Sequence, residues 1–204
     1  MPNSTDLDIL ILAGGKSRRM GQDKALLTYQ GQPLLTTVSR VALSLSPRVF
    51  VLSPWPQKYL GILPSGVQSL TEAMPNQGPL SALTQALHIL KGNWVLLLAC
   101  DMPQLEAKRI SKWRSQLVDL PPDCLAYVPQ LEPNSWEPLC GFYRRESLDS
   151  LESYLAQGGR SFQTWLSRIN AIAIPISQAN QTMFHNCNRP EDLDFPPSAK
   201  LRGS

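Results

Sequence analysis

The 204-residue sequence is short of charge. Only 17% of its residues are charged, and 19 Lys+Arg against 16 Asp+Glu leave a formal net charge of +3. An average globular chain carries roughly 25%, so an acidic tail, a disordered polyelectrolyte and a nucleic-acid binder coated in basic side chains are all excluded. Histidine is scarce, with His88 and His185 far apart. The four cysteines, Cys100, Cys124, Cys140 and Cys187, form no C-x-x-C pair, so the spacing of a zinc site is missing. No apolar run is long: the longest, Trp94 to Cys100, falls far below the roughly 20 residues that span a bilayer. The opening MPNSTDLDILILAGG has no basic n-region of a secretory leader. A reducing cytoplasm with free thiols is the expectation. The closing KLRGS reads as a vector remnant and takes no part in the fold argument.

What is present is apolar patterning. Asp8 to Leu12, Val49 to Leu52 and Trp94 to Cys100 are nearly continuous apolar runs, and unbroken apolarity marks strands buried on both faces of a parallel sheet. Between them, Pro33 to Leu45 puts Leu34, Leu35, Val38, Val41, Ala42 and Leu45 on one helical stripe, with Pro33 in the first turn. Pro79 to Leu90 repeats the design with Leu80, Leu83, Leu87 and Leu90. This order predicts a three-layer α/β sandwich with a mostly parallel, Rossmann-like sheet. The second half is less regular. Leu125 to Val128, Leu139 to Tyr143 and Ala171 to Ile176 read as strands, Glu146 to Ala156 and Ser161 to Ser167 as helices. A short helix is expected to open at Asn188, its cap, with Pro190, Glu191 and Asp192 in its first turn. Residues 1–195 read as one domain and 196–204 as a tail.

The most informative stretch is Leu12-Ala13-Gly14-Gly15-Lys16-Ser17-Arg18-Arg19-Met20-Gly21-Gln22-Asp23-Lys24. It leaves a buried strand directly, so it sits at a carboxyl end, where open α/β sheets bind ligands. Gly14 and Gly15 allow close approach of backbone N–H groups to a ligand. Lys16, Arg18, Arg19 and Lys24 gather four cations against one acid, Asp23. Such a loop suits a polyanion, a nucleoside triphosphate above all. It is not a Walker A loop, which would need a glycine where Leu10 stands, and the glycines at 14, 15 and 21 do not make G-x-G-x-x-G.

With Gly78-Pro79-Leu80, Asp101-Met102-Pro103 and Asn186-Cys187-Asn188-Arg189-Pro190-Glu191-Asp192, this loop resembles the nucleotidyltransferases that activate sugar phosphates, isoprenoid phosphates and molybdopterin. The set of four is most similar to the molybdenum cofactor guanylyltransferases, from Ile9 to about Leu193. The resemblance implies a sheet of the nucleotidyltransferase type, with a nucleotide-binding half about 7–105 and an acceptor-binding half about 106–195. It implies that Leu12, Ala13 and Gly14 contact guanine through the backbone, that Gly15 and Arg19 handle the phosphates, and that Lys24 reaches the reacting phosphate. Asp101 would hold Mg²⁺ and bind nucleotide, with Lys24, Arg19 and Asp101 as the catalytic set. Asn186 and Asn188 would lie near the acceptor phosphate or the metal. Arg160, in the glycine loop Gln157-Gly158-Gly159-Arg160, reads equally as a contact for the pterin phosphate and as a solvated loop arginine. Two positions depart from the family pattern: Thr71, with Glu72 beside it, stands where an acid is usual, and Gly-Pro-Leu is followed by Ser81-Ala82.

The reaction so implied is attack of a molybdopterin phosphate on the α-phosphorus of GTP. A phosphate monoester, with its second pKa around 6, is already ionised, so no general base is needed, in keeping with a sequence that offers no activated Ser, Cys or His. GTP and molybdopterin are the expected substrates, with brief contacts to cofactor-biosynthesis proteins and molybdoenzymes; no nucleic-acid or membrane partner is expected. Molybdopterin cytidylyltransfer, another transfer by the same fold, and a non-catalytic carrier of nucleotide and molybdopterin remain the alternatives. Lys108, Arg109, Lys112 and Arg114 read as the wet face of a helix that buries Ile110, Trp113 and Leu117. His88 and Cys100 read as structural, and the five tryptophans as core or surface anchors.

Overall fold

The computed structural model describes residues 6–14, 23–133 and 135–187, with the backbone alone at 178–180. Gly15, Lys16, Arg18, Arg19, Asn188 and the helix expected from Asn188 lie outside the described residues.

The three apolar runs form β1 (Leu7–Leu12), β4 (Val49–Ser53) and β6 (Trp94–Ala99). All six residues of β6 are buried, as unbroken apolarity requires of a strand covered on both faces. Around them, β2 (Thr28–Tyr29) and β3 (Gln32–Pro33) make a small hairpin, and β5 (Val67–Thr71) follows β4. The second half supplies β7 (Ala126–Glu132), β8 (Ser135–Trp136), β9 (Cys140–Arg144) and β10 (Ala171–Pro175).

The main sheet runs β10-β7-β9-β6-β1-β4-β5, with β8 paired to β7 outside that order. β1 is parallel to both β4 and β6, and β5 continues the parallel set beside β4. β9 is antiparallel to both β6 and β7, so β7 runs in the same direction as β6. The chain thus leaves β1 on one side through β4 and β5 and returns on the other through β6. That reversal of strand order opens a crevice at the carboxyl ends of β1 and β6, the place where such sheets bind ligands.

Alternate residues of β1 feed two cores. Ile9 and Ile11 pack with α1 (Leu34–Leu45) and α3 (Ala107–Gln116), whereas Leu10 packs with α2 (Pro79–Ile89), α4 (Leu148–Ala156) and α5 (Phe162–Leu166). The result is the expected helix–sheet–helix sandwich. The leucine stripes of α1 and α2 are buried as read, with Val41 half-buried. Pro33 precedes α1 as its cap and pairs in β3 rather than entering the first turn. Ser161 caps α5, its side chain accepting from Thr164 N. In α3, Ile110 and Trp113 are buried, and Leu117 is buried just past its end. Lys108 and Lys112 are exposed on its outer face, Arg109 pairs with Glu106, and Arg114 reaches the Leu45 carbonyl. No helix among the described residues is long and apolar enough to cross a membrane.

Candidate functional site

The carboxyl edge of the sheet is stitched beyond the strands themselves. Ala13 N donates to Leu52 O at 3.0 Å, and Cys100 N donates to Leu12 O at 3.3 Å. These two bonds set Leu12-Ala13-Gly14, Ser53-Pro54 and Cys100-Asp101 side by side. Gly14 has φ +117°, and a Cβ there would sit 2.8 Å from Pro54 Cδ and 3.1 Å from Ser53 Oγ. Any side chain at this position would meet both the backbone restriction and a proline that cannot move aside. Leu12 and Gly14 are half-buried and Ala13 is buried, which leaves mainly backbone facing the crevice.

Lys24 and Asp101, 77 residues apart, meet here, with Lys24 Nζ 3.0 Å from Asp101 Oδ2. Their side chains are 24% and 16% exposed, so the pair is neither dissolved in solvent nor sealed from it. Lys24 opens a single 3-10 turn, Lys24–Leu26, capped by Asp23. The Asp101 carbonyl accepts from Cys187 N at 2.9 Å. This bond ties the end of the described chain to Asp101, and half-buried Asn186 is the residue just before the bonded one. Cys187 is itself buried against Tyr29 and Leu34.

Arg160 stands apart. Its Nη1 donates to Leu155 O at 3.0 Å and Gly159 O at 2.6 Å, closing the last turn of α4. The adjacent Gly159 lies directly on the Tyr154 ring, where a Cβ would come within 2.3 Å. Gln163 pairs with both the N–H and the carbonyl of Trp136, which ties this corner to the carboxyl end of β7. Arg160 thus belongs to the corner formed by the end of α4 and by β8, and its described hydrogen bonds close that turn.

Thr71, where an acid is usual, is exposed, and its carbonyl accepts from Gln85 Nε2 at 2.7 Å. Glu72 follows, half-buried, its N–H on Ser53 O at 2.8 Å; burial pushes its carboxyl above the ordinary range. Ala82 is packed in the core of α2. Cys100 is buried, and burial together with Asp101 and Asp23 holds its thiol far above its ordinary value. It packs in the core rather than acting as a nucleophile. His88 bridges α2 to α4 through Glu152 at 2.8 Å on the surface. Trp94, Trp113 and Trp165 are core residues, Trp136 is half-buried and Trp55 is 48% exposed.

Sequence reading missed a polar support beneath Lys24. The Asp23 carboxylate receives Tyr59 OH at 2.7 Å and lies 2.7 Å from Lys58 Nζ. Both partners are on the turn Pro56–Tyr59 that follows β4. The only sequence signal is Asp23 itself, the one acid in a loop whose other charged residues are all cations. Also missed was Glu137, half-buried in the link from β8 to β9 with burial raising its pKa. Two residues on, the Leu139 carbonyl accepts from Ala99 N at 3.0 Å.

Comparison with known proteins follows this geometry. Residues 9–171 match the MobA-like NTP transferase domain. A "Probable molybdenum cofactor guanylyltransferase" from Nostoc is 44% identical over 190 residues, covering 92% of this chain and 89% of its own length. A "Molybdenum cofactor guanylyltransferase" from Pseudomonas putida is 34% identical over 188 residues, covering 91% and 94%. The crystal structure of molybdopterin-guanine dinucleotide biosynthesis protein A from Archaeoglobus fulgidus superposes with a TM-score of 0.70 at 21% identity, covering 91% of this chain and 94% of its own. A CMP:2-keto-3-deoxy-manno-octonic acid synthetase complexed with CTP shares the fold, with a TM-score of 0.65 at 14% identity and coverage of 84% and 90%.

Proposed function

The chain belongs to the MobA-like NTP transferase family, and from that premise we propose how its carboxyl-edge crevice transfers GMP from GTP to the terminal phosphate of molybdopterin. The products are a guanine dinucleotide cofactor and pyrophosphate. The observation that carries the reading is the contact of Lys24 with Asp101 where the strand order reverses.

The reaction joins an oxygen of the molybdopterin phosphate to the α-phosphorus of GTP while the bond to the β-phosphate oxygen breaks. The bonding pair leaves with pyrophosphate. The attacking phosphate, with a second pKa around 6, is already an anion, so the chain has no proton to remove. Its task is to hold two mutually repelling anions in line and to stabilise charge as it spreads over the phosphoryl oxygens. Backbone at Leu12, Ala13 and Gly14 seats the guanine. Gly15 and Arg19 act on the phosphates, and the Lys24 ammonium meets the α-phosphate. Asn186, just before the residue bonded to Asp101, attends the acceptor phosphate with Asn188. Arg160 serves the acceptor.

Magnesium belongs to the proposal. A single partly exposed carboxylate with one oxygen held by a lysine suits a hard cation that usually keeps one or two carboxylate ligands and takes the rest from substrate phosphates. Asp101 would hold it, and when bound it would neutralise charge on the triphosphate. Four free, buried thiols suit a reducing cytoplasm, where the enzyme would meet the proteins that deliver molybdopterin and receive the product.

The decisive experiment supplies molybdopterin and Mg²⁺ with GTP or CTP in turn and measures pyrophosphate release. Release with GTP is expected, and its loss on chelating Mg²⁺. Faster release with CTP would overturn the choice of nucleotide. Tight binding of both substrates without release would favour a carrier.

A further inference from the structure

Gly14 and Asp23 flank the first loop, and both rest on residues 53–59. Gly14 lies against Ser53 and Pro54. Ser53 is fully buried, and its Oγ accepts from Trp55 N at 3.0 Å. Asp23 is held by the other end of the same segment. One of its oxygens caps the turn carrying Lys24, accepting from Ala25 N at 3.1 Å, and the other receives Tyr59 OH at 2.7 Å. Lys58, 2.7 Å from that second oxygen, also lies over the Trp55 ring at 6.0 Å.

A helix cap needs only one carboxylate oxygen. Here the second oxygen has a buried phenol and an ammonium, more than capping requires. The chemistry explains the excess. A carboxylate next to the lysine that must meet phosphate is a competitor for that lysine, and it is harmless only if its charge is engaged elsewhere. Tyr59 is completely buried, and its phenol is pushed far up by burial and by Asp23, so it stays a neutral donor at working pH.

We propose that the Asp23–Tyr59 hydrogen bond, with Lys58 beside it, positions Lys24 for the triphosphate by fixing the turn that carries it and turning the Asp23 charge away from the phosphates. Tyr59 and Asp23 are positioning residues and touch no substrate. The proposal rests on the reading of Lys24 as the group that meets the reacting phosphate.

Tyr59→Phe removes one oxygen and keeps the buried ring. It is expected to weaken GTP binding and lower kcat by about tenfold, the factor a single net hydrogen bond supplies, with guanosine affinity unchanged. Asp23→Asn keeps the cap and removes the competing charge along with the ion pair, so it should cost less GTP affinity than Tyr59→Phe does. In a Lys24→Ala background, Tyr59→Phe should cost no further GTP affinity, because a residue acting through Lys24 has nothing left to act on. Equal weakening of GTP and guanosine would overturn the proposal, as would undiminished loss in the Lys24→Ala background or wild-type behaviour of Tyr59→Phe. If the unaltered protein binds another nucleoside triphosphate instead of GTP, the nucleotide assignment fails. The comparison of that triphosphate with its own nucleoside then tests the positioning separately.

Discussion

At the amino end of β1, Asp8 is 2% exposed and both of its carboxylate oxygens are engaged. Arg48 Nε lies 2.7 Å from one oxygen, and the N–H groups of Lys91 and Gly92 donate to the other at 2.9 and 2.6 Å. At the carboxyl end of the neighbouring strand, Asp101 keeps 16% of its side chain exposed and has one lysine at 3.0 Å. Both are carboxylates beside a cation, on adjacent strands. The first is closed by backbone donors, so it locks the crossing between β1, β4 and β6. The second is open, and under the proposed function its partner is shared with an incoming phosphate. The number of fixed donors and the residual access to water, rather than the presence of an ion pair, separate the structural end of this sheet from the chemical one.

The widest separation should come from Asp8→Ala. Losing a buried carboxylate with both oxygens engaged leaves Arg48 and two N–H groups without it, and such losses cost about 3–5 kcal/mol. Arg48 is partly exposed, so about 3 kcal/mol is expected in denaturant unfolding, with kcat/KM of the folded fraction within twofold. Next, Lys24→Ala and Asp101→Ala should each lower turnover by about a hundredfold or more, the scale of removing a preorganised electrostatic group. Their thermal melting should stay near that of the unaltered protein. Near-normal Mg²⁺-dependent transfer by Asp101→Ala would remove the distinction between the two ends.

A smaller effect concerns Glu137, an acid at the carboxyl edge. Burial holds its carboxyl above the ordinary 4.5, so the folded chain keeps that proton to higher pH than the unfolded chain does. Stability therefore falls as pH rises from the ordinary value through the raised one. Melting curves from pH 4 to 8 should be flatter for Glu137→Gln than for the unaltered protein; parallel curves would remove Glu137 from the comparison. The smallest effect should be at His88, whose bridge to Glu152 is 55% and 48% exposed. His88→Ala should shift stability by less than about 1 kcal/mol and leave transfer alone.

Legibility in the sequence follows the same physical lines. β1, β4 and β6 were readable because a strand covered on both faces has no room for polar alternation. β5 was not, because VQSLT at the sheet edge is only half-buried and its polar residues hide the strand. The hairpin of β2 and β3 has two residues per strand, too few for any period. β7 runs on to Glu132, past the Val128 expected, since its outer end pairs with β8 and can be polar. At the candidate site, Lys24 ends the loop that leaves β1 and Asp101 opens the Asp101-Met102-Pro103 run after β6, so both stand out in the sequence, and the structure brings them together. Tyr59 does not stand out: an aromatic in a turn 36 residues from Asp23 carries no local sign of what its hydroxyl touches.

The placement of β1 has a kinetic consequence. β1 is made before both of its neighbours and sits between them in the finished sheet, with residues 49–52 on one edge and 94–99 on the other. At ribosomal speeds of about 5–20 residues per second, its second edge waits roughly 5–20 s for a partner. Until residues 94–99 emerge, β1 is an open strand of Ile and Leu, and Lys24 has no Asp101 to meet. Pairing this distant in sequence is slow to nucleate, so the nascent chain should depend on chaperone shielding between the emergence of β1 and that of β6. A truncation ending before β6 should aggregate, whereas one that retains it already gives β1 its full complement of neighbours.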